Sequence, residues 1–355
     1  MLKRIPDNCS LLYSDLLQKT LDSSTLLLSG GSFVSKKIGG AKYWYHQTKS
    51  PSGTVQKYIG KETAALLKQI ESGKRDAALN RPIIEERRRL VAMLGVGGAF
   101  LEKGRPAKII SKMADVGLFS AGGVLVGSFA FACYGNMLGV TLNKNLMRTE
   151  DMDFSVERVL DVGFHRSIPD DLQSIESTLK PPKQINPATQ PFDLIAADGF
   201  KVEFLTTKVS PTDRAAVHIE RFSLYAQPLD YMDYLLDQAQ SAVVLYGAGI
   251  PIMVPDPARF ALHKLAISQL RPPSFQTKAL KDIEQASSLL EILLEDNPGS
   301  LILASDALGS RDDLMMQLVK KGINQLSNEV QNAFLEAVSF PDVTWDATLG
   351  RPSRK

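Results

Sequence analysis

Between Gly122 and Phe154 the chain reads GGVLVGSFAFACYGNMLGVTLNKNLMRTEDMDF: an apolar strand, a Gly127-Ser128 turn, a helix, then a strand with two alternate aspartates. This succession constrains the fold more than any other stretch, because it brings two strands and a tight turn to one point. Glycine lets another group approach the main chain, so the N–H groups of such a turn can face a phosphate. Asp151 and Asp153 are flanked by Met152 and Phe154. Period-two geometry puts both carboxylates on one face of the strand and both apolar side chains on the other. Paired carboxylates beside a phosphate cradle point to a metal–nucleotide site. A D-x-D pair or a glycine turn alone is common. Their order here is far rarer, followed as they are by a third carboxylate in the strand-like run Lys201-Val202-Glu203-Phe204-Leu205.

The same stretch contains the one membrane candidate, since Leu118 to Asn143 is about 26 residues without a charge, long enough to span a bilayer. Five glycines, from Gly122 to Gly139, break the run, no aromatic belt flanks it, and it leads straight into the acidic strand, so a span is not expected. The N-terminal MLKRIPDNCSLLYSDLL lacks a continuous apolar core and a small-residue cleavage site; no signal peptide and a cytoplasmic location are expected. Cys9 and Cys133 lie in unlike contexts without metal-ligand spacing, so neither a disulfide framework nor a zinc cluster is implied.

With 355 residues, 44% of them apolar, the chain has room for two or three domains. Residues 1–112 carry 20 Lys and Arg against 9 Asp and Glu, whereas the remainder carries 21 against 30. Such asymmetry suggests a polyanion docking on the basic part. That part opens with an amphipathic helix near Leu11–Asp22 and a Ser/Gly-rich joint. A β-hairpin over about 41–59 then sets Tyr43, Trp44, Tyr45 and Tyr58 among lysines that include Lys57. Aromatics interleaved with cations stack bases and track phosphates; equally, alternate aromatics of a hairpin pack on following helices. Two helical stretches follow, Lys61–Lys74 and about Arg81–Leu101, the second with the charge run Glu85–Arg89, which reads as a solvated face.

Beyond Phe154, the Pro-rich residues 169–191 form a surface excursion, and Phe192–Ile195 with Phe200–Leu205 form a hairpin across Ala-Ala-Asp-Gly. Glu203 shares a face with Lys201 and Leu205, from which it can meet the two aspartates across the sheet. The apolar runs Ser241–Tyr246 and Ile250–Val254 are expected to complete that sheet. From Asp256 onward the period is helical to about Val338, ending in a basic, frayed tail. The organisation read is a basic N-terminal region (1–112), a catalytic core (113–255) and a C-terminal helical domain (256–355). The fold class is α+β, a mixed β-sheet core flanked by helices.

GS in VLVGSFA, then DMDF, then VEFL resembles the DNA polymerase β-type nucleotidyltransferase superfamily. PDPARFALHKLAISQLR with KALKDIEQA, and the approach RTEDMDF, resembles its abortive-infection-type, toxin-like bacterial branch. The resemblance covers roughly Gly122 to Gln285. It implies transfer of a nucleoside monophosphate from an NTP to a hydroxyl, with pyrophosphate released. It implies two magnesium ions, or manganese, on Asp151, Asp153 and Glu203, the catalytic residues. It further implies β- and γ-phosphates on Gly127 and Ser128, and Arg148, Lys264 and Arg271 around the nucleotide. The interval from Ser128 to Asp151 is longer than in compact members, and the third carboxylate is Glu instead of the usual Asp. His263 reads as a packing or capping residue. With the basic N-terminal region, whose Trp44, Tyr45 and Lys57 are the candidate contacts, the acceptor expected is RNA, tRNA first. A protein or small-molecule hydroxyl, or a silent nucleic-acid-binding adaptor, is the alternative. A toxin-like branch also leaves room for an inhibitory partner protein.

Overall fold

A computed structural model describes residues 3–23, 32–50, 53–147, 149–158, 166–183, 190–210, 212–309, 313–338, 343–346 and 351–354. After α1 (Asp7–Ser23), an antiparallel three-stranded sheet is formed by β1 (Ser32–Ile38), β2 (Ala41–Ser50) and β3 (Gly53–Lys61). The expected hairpin thus has a third strand at its edge. Thr63 accepts the Leu66 N–H and so caps α2 (Ala64–Val96), satisfying one of the donors that a helix start leaves free. α2 is one helix where the sequence reads as two, because the Ala- and Leu-containing link through residue 80 keeps helical geometry and Pro82 is accommodated inside it. The run Glu85–Arg89 is not wholly solvated either. Arg87 is 1% exposed, and its guanidinium donates to the carbonyls of Ala248 and Gly249 at 2.9 and 2.7 Å.

α3 (Gly104–Asp115) leads to β4 (Val124–Val126), α4 (Gly127–Met137), the single turn α5 (Lys144–Met147) and β5 (Asp151–Ser155). Next come α6 (Ile168–Gln173), β6 (Asp193–Ile195), β7 (Lys201–Thr207), β8 (Val217–Ile219), β9 (Leu224–Leu229) and α7 (Met232–Leu236). The sheet order is β4-β5-β7-β9-β8. β5 runs parallel to β7 on one edge, while β6 and β9 share the other, pairing with its first and second halves. Alternation makes the architecture: Met152, Phe154, Val202 and Phe204 are buried on one face, and the rings of Phe154 and Phe204 stack 6.2 Å apart. The acidic side chains therefore lie on the opposite face.

β10 (Gln240–Val244) and β11 (Ile250–Val254) correct one expectation, for they pair with each other as a separate hairpin and do not extend the six-stranded sheet. Arg87 holds the turn of this hairpin from α2, and Tyr13 on α1 takes the Val243 N–H at 3.0 Å, so the strands are drawn into the α1–α2 layer.

The helical part follows: α8 (Pro257–Ser268), α9 (Gln276–Asp296), α10 (Pro298–Gly309), α11 (Asp313–Ile323) and α12 (Asn328–Ala337). The C-terminal tail, expected to be frayed, contains an antiparallel pair, β12 (Val343–Asp346) with β13 (Arg351–Arg354). A continuous apolar core links the sheet to α8, α9, α10 and α11; a smaller one joins α1 and α2 to β10. Among the described residues no helix is long and apolar enough to cross a membrane. The uncharged run Leu118–Asn143 is divided among a 3-10 turn, β4 and α4.

Candidate active site

Buried Val124, Leu125 and Val126 make β4 an interior strand, and Gly127 turns it directly into α4. Gly127 has φ +66°, and a Cβ built there would lie 2.2 Å from Asp153 Oδ2. Only glycine satisfies both the dihedral and the approach. β4 and β5 are antiparallel with Val126 opposite Asp153, so the turn and the acidic strand are fixed by one register. Across β5 the parallel ladder sets Asp153 opposite Glu203 and Asp151 opposite Lys201. Thr149 Oγ1 accepts the Asp151 N–H at 3.2 Å.

These residues line a cleft of about 200 Å³, whose other wall comes from α7, α8 and the start of α9. Asp256 caps α8 through the N–H groups of Ala258 and Arg259, with Pro257 in the first turn, where its missing N–H costs nothing. Phe260, His263, Lys264 and Ile267 then fall on the cleft side of the helix, with Arg271 just beyond its end. On α9, Lys278, Lys281, Asp282 and Gln285 recur at i, i+3, i+4 and i+7, a single face.

Electrostatics sort these charges into two groups. Asp282 is 3% exposed, with Lys264 Nζ 2.5 Å from Oδ1 and Arg271 Nε 3.0 Å from Oδ2. Burial alone would raise its pKa, but the two cations outweigh burial and hold it below the usual range. Asp153 and Glu203 go the other way. Burial is the largest cause for each: at Asp153 it outweighs the opposing pull of Lys264 and is helped by Asp151, and at Glu203 repulsion by Asp153 and Asp151 adds to it, so both carboxyls are pushed up. Lys278 Nζ meets Asp151 Oδ2 at 2.8 Å.

Gln285, wholly buried, donates through Nε2 to Ser128 Oγ at 3.2 Å and to the Leu146 carbonyl at 2.8 Å, tying α9 to the turn and to α5. Because Ser128 Oγ accepts this bond, its own proton is free to point elsewhere.

The structure thus brings Gly127, Ser128, Asp151, Asp153, Glu203, Lys264 and Arg271 to one cleft. Arg148 lies outside the described residues. Lys278 and Gln285 escape sequence reasoning, although their helical spacing from Asp282 was a usable signal. Among the described residues no three His, Cys, Asp or Glu groups are gathered tightly enough to hold an ion; Asp151 is engaged by Lys278 instead. The donor set nevertheless suits a divalent cation. It is all carboxylate oxygen, and two of its members repel each other in a buried setting that a cation would relieve.

The N-terminal aromatics separate by face. Trp44 is 7% exposed, its Nε1–H bonded to Glu62 at 2.8 Å and its ring covered by Lys42 and Lys74 at 4.9 and 5.2 Å from the centroid. It is therefore a packing residue here, and stacking a base on it would displace its own cations. Tyr43 and Tyr45 flank Tyr58, which is 54% exposed, and Lys36 Nζ lies 5.0 Å from the Tyr45 centroid. Lys57 belongs to β3; its side chain lies outside the described residues.

A glycine turn pressed against alternate carboxylates, on a mixed sheet roofed by helices that carry cations into the cleft, fits one class: enzymes that transfer phosphorus-containing groups. Residues 105–308, more than half of the chain, match the model of a family described as nucleotidyltransferase, and the chain belongs to that family. It is a transferase that moves a nucleoside monophosphate, with a nucleotide as substrate; nucleotidyltransferases generally use divalent metals. No curated protein and no solved structure matches the chain.

Proposed function

We propose that the protein moves a nucleoside monophosphate from an NTP to an acceptor hydroxyl on RNA, tRNA being the first class to test, and releases pyrophosphate. One observation carries the reading: the Asp153 carboxylate lies so close to the Gly127 backbone that no Cβ fits between them. Phosphate donors and carboxylates therefore share one cleft. On this reading Ser128 and the main chain at Gly127 bind the β- and γ-phosphates. Arg271 and Lys264, with Arg148, offset charge around the nucleotide. Asp151, Asp153 and Glu203 would hold the divalent cations, magnesium first and manganese as substitute, which when bound neutralise the attacking and leaving oxygens of an in-line displacement. Glu203 receives the acceptor's proton at its carboxylate. Gln285 keeps Ser128 turned toward the phosphate. Support for RNA comes from the positive balance of residues 1–112 and the exposed tyrosine face of β2 and β3.

Incubation with each α-labelled NTP, magnesium and total RNA tests this. Label is expected in RNA with the wild type and not with Asp151→Asn/Asp153→Asn. Transfer by the double variant at the wild-type rate, or label reaching nothing, overturns the reading; label reaching only protein or a small molecule overturns the RNA acceptor.

A further inference from the structure

Buried polar side chains almost always find a hydrogen-bond partner, and His263 Nε2 has none among the described residues. The residue is 6% exposed. The residue lies on the wall of the cleft, between Phe260 and Ile267 on α8. An imidazole nitrogen out of water and unbonded is destabilising in the empty protein and gains when a ligand supplies the missing partner.

The cleft is graded along the sheet order. Gly127 and Ser128 follow β4, the aspartates are on β5, Glu203 and Leu205 on β7, and Leu229 on β9, with Met232 and Leu235 of α7 beyond. Phosphate donors thus give way to carboxylates, and these to an apolar end. Burial and then the neighbouring Lys264 drive the His263 pKa down to about 3, so the ring is neutral and offers one donor and one acceptor, not a cation for phosphate. A ribose, with several hydroxyls, is poorly matched to an end lined by Leu229, Met232, Leu235 and Ile267. A flat ring with apolar faces and a polar edge suits it.

Resting on the nucleotidyltransferase reading above, we propose that His263, with Leu229, Met232, Leu235 and Ile267, forms a nucleobase subsite in which Nε2 hydrogen-bonds the base edge and selects among bases. The base belongs either to the NTP or to the acceptor's terminal nucleotide, and the test separates the two.

Binding of non-hydrolysable analogues of ATP, CTP, GTP and UTP, of inorganic tripolyphosphate, and of short RNAs ending in each base or in an abasic sugar is measured by calorimetry with magnesium. The proteins are wild type, His263→Leu, His263→Gln and Leu229→Ala, the last at a half-exposed rim position where truncation leaves the core intact. The expected result is about a tenfold loss for the favoured base in His263→Leu, the size of one hydrogen bond at a desolvated site. Tripolyphosphate binding is unchanged, His263→Gln recovers part of the loss, and Leu229→Ala weakens all bases together. Loss confined to the NTP analogues assigns the subsite to the NTP, and loss confined to the base-terminated RNAs assigns it to the acceptor. Equal losses for bases and tripolyphosphate, or unaltered selectivity in both His263 variants, overturn the subsite. If that happens while Asp153→Asn still abolishes pyrophosphate release, the nucleotidyltransferase reading stands. A wild type that binds no NTP analogue overturns both.

Discussion

The three-stranded sheet of residues 32–61 and the six-stranded sheet under the cleft both carry aromatic rings and charges on alternating strands, yet they use them in opposite ways. In the first, the charges are at the surface: Lys42 pairs with Glu62, and the same two residues shield Trp44. Over the second, on α8 and α9, Lys264 and Asp282 pair out of water with Arg271 at their edge, while in the sheet Asp153 and Glu203 stand beside each other with their protons held more tightly than usual. The lesson is that net charge locates a docking face, whereas desolvated charge locates chemistry. Only the second arrangement stores a mismatch that a ligand can resolve.

The largest effect that sharpens this contrast is on turnover. Asp151→Asn/Asp153→Asn should lower nucleotidyl transfer by on the order of 10³-fold, measured by pyrophosphate release, with a cooperative thermal melt retained. Trp44→Ala should leave NTP turnover on a small acceptor unchanged. Stability is next. Asp282→Ala strands two cations at a site where Lys264 is nearly enclosed, and should cost about 3–5 kcal/mol in urea unfolding, as removal of one partner from a buried pair does. Glu62→Ala on the outer sheet should barely move the urea midpoint. Equal shifts in the two variants would erase the distinction.

A smaller effect separates the two faces of the outer sheet. Tyr58→Ala should weaken RNA binding about tenfold, the scale of one lost stacking contact, and leave NTP affinity alone; filter binding against salt concentration reads both. The smallest effect concerns pH. Burial lowers the folded pKa of His263, so below the unfolded value near 6.5 protons bind the unfolded chain preferentially, and stability falls progressively as pH drops toward about 3. Lys264, Arg271 and Asp282 are the charged groups acting on it. Between pH 6 and 5 the wild type should lose about 1 kcal/mol relative to His263→Gln, read from urea midpoints at each pH.

The sheet under the cleft was legible because its signals are short-range. Strand alternation gave the face shared by Asp151 and Asp153, and a turn signal gave the β6–β7 hairpin that carries Glu203. What could not be read depends on partners far along the chain. β10 and β11 have the apolar character of central strands, yet whether such strands join a sheet or fold on each other is decided by Arg87 and Tyr13, from helices more than 150 residues earlier. Arg87 looks like its neighbours in Glu85–Arg89 until its burial is seen. The Lys278–Asp151 contact joins residues separated by 127 positions, and no local period announces it. Trp44 was open in the sequence between stacking a base and packing, because alternation cannot show that Lys42 and Lys74 cover its ring.

The close approach at Gly127 has a consequence for sequence space. Every replacement adds a Cβ 2.2 Å from Asp153 Oδ2, so the carboxylate has to leave the position it holds, and the φ of +66° is strained as well. Saturation of codon 127 followed by selection for transfer should return glycine alone, whereas codon 128 should also tolerate threonine, which keeps a hydroxyl for Gln285. The Gly127-Ser128 turn can therefore diversify at its second residue, but at its first it is tied to the position of the acidic strand, and the two can change only together.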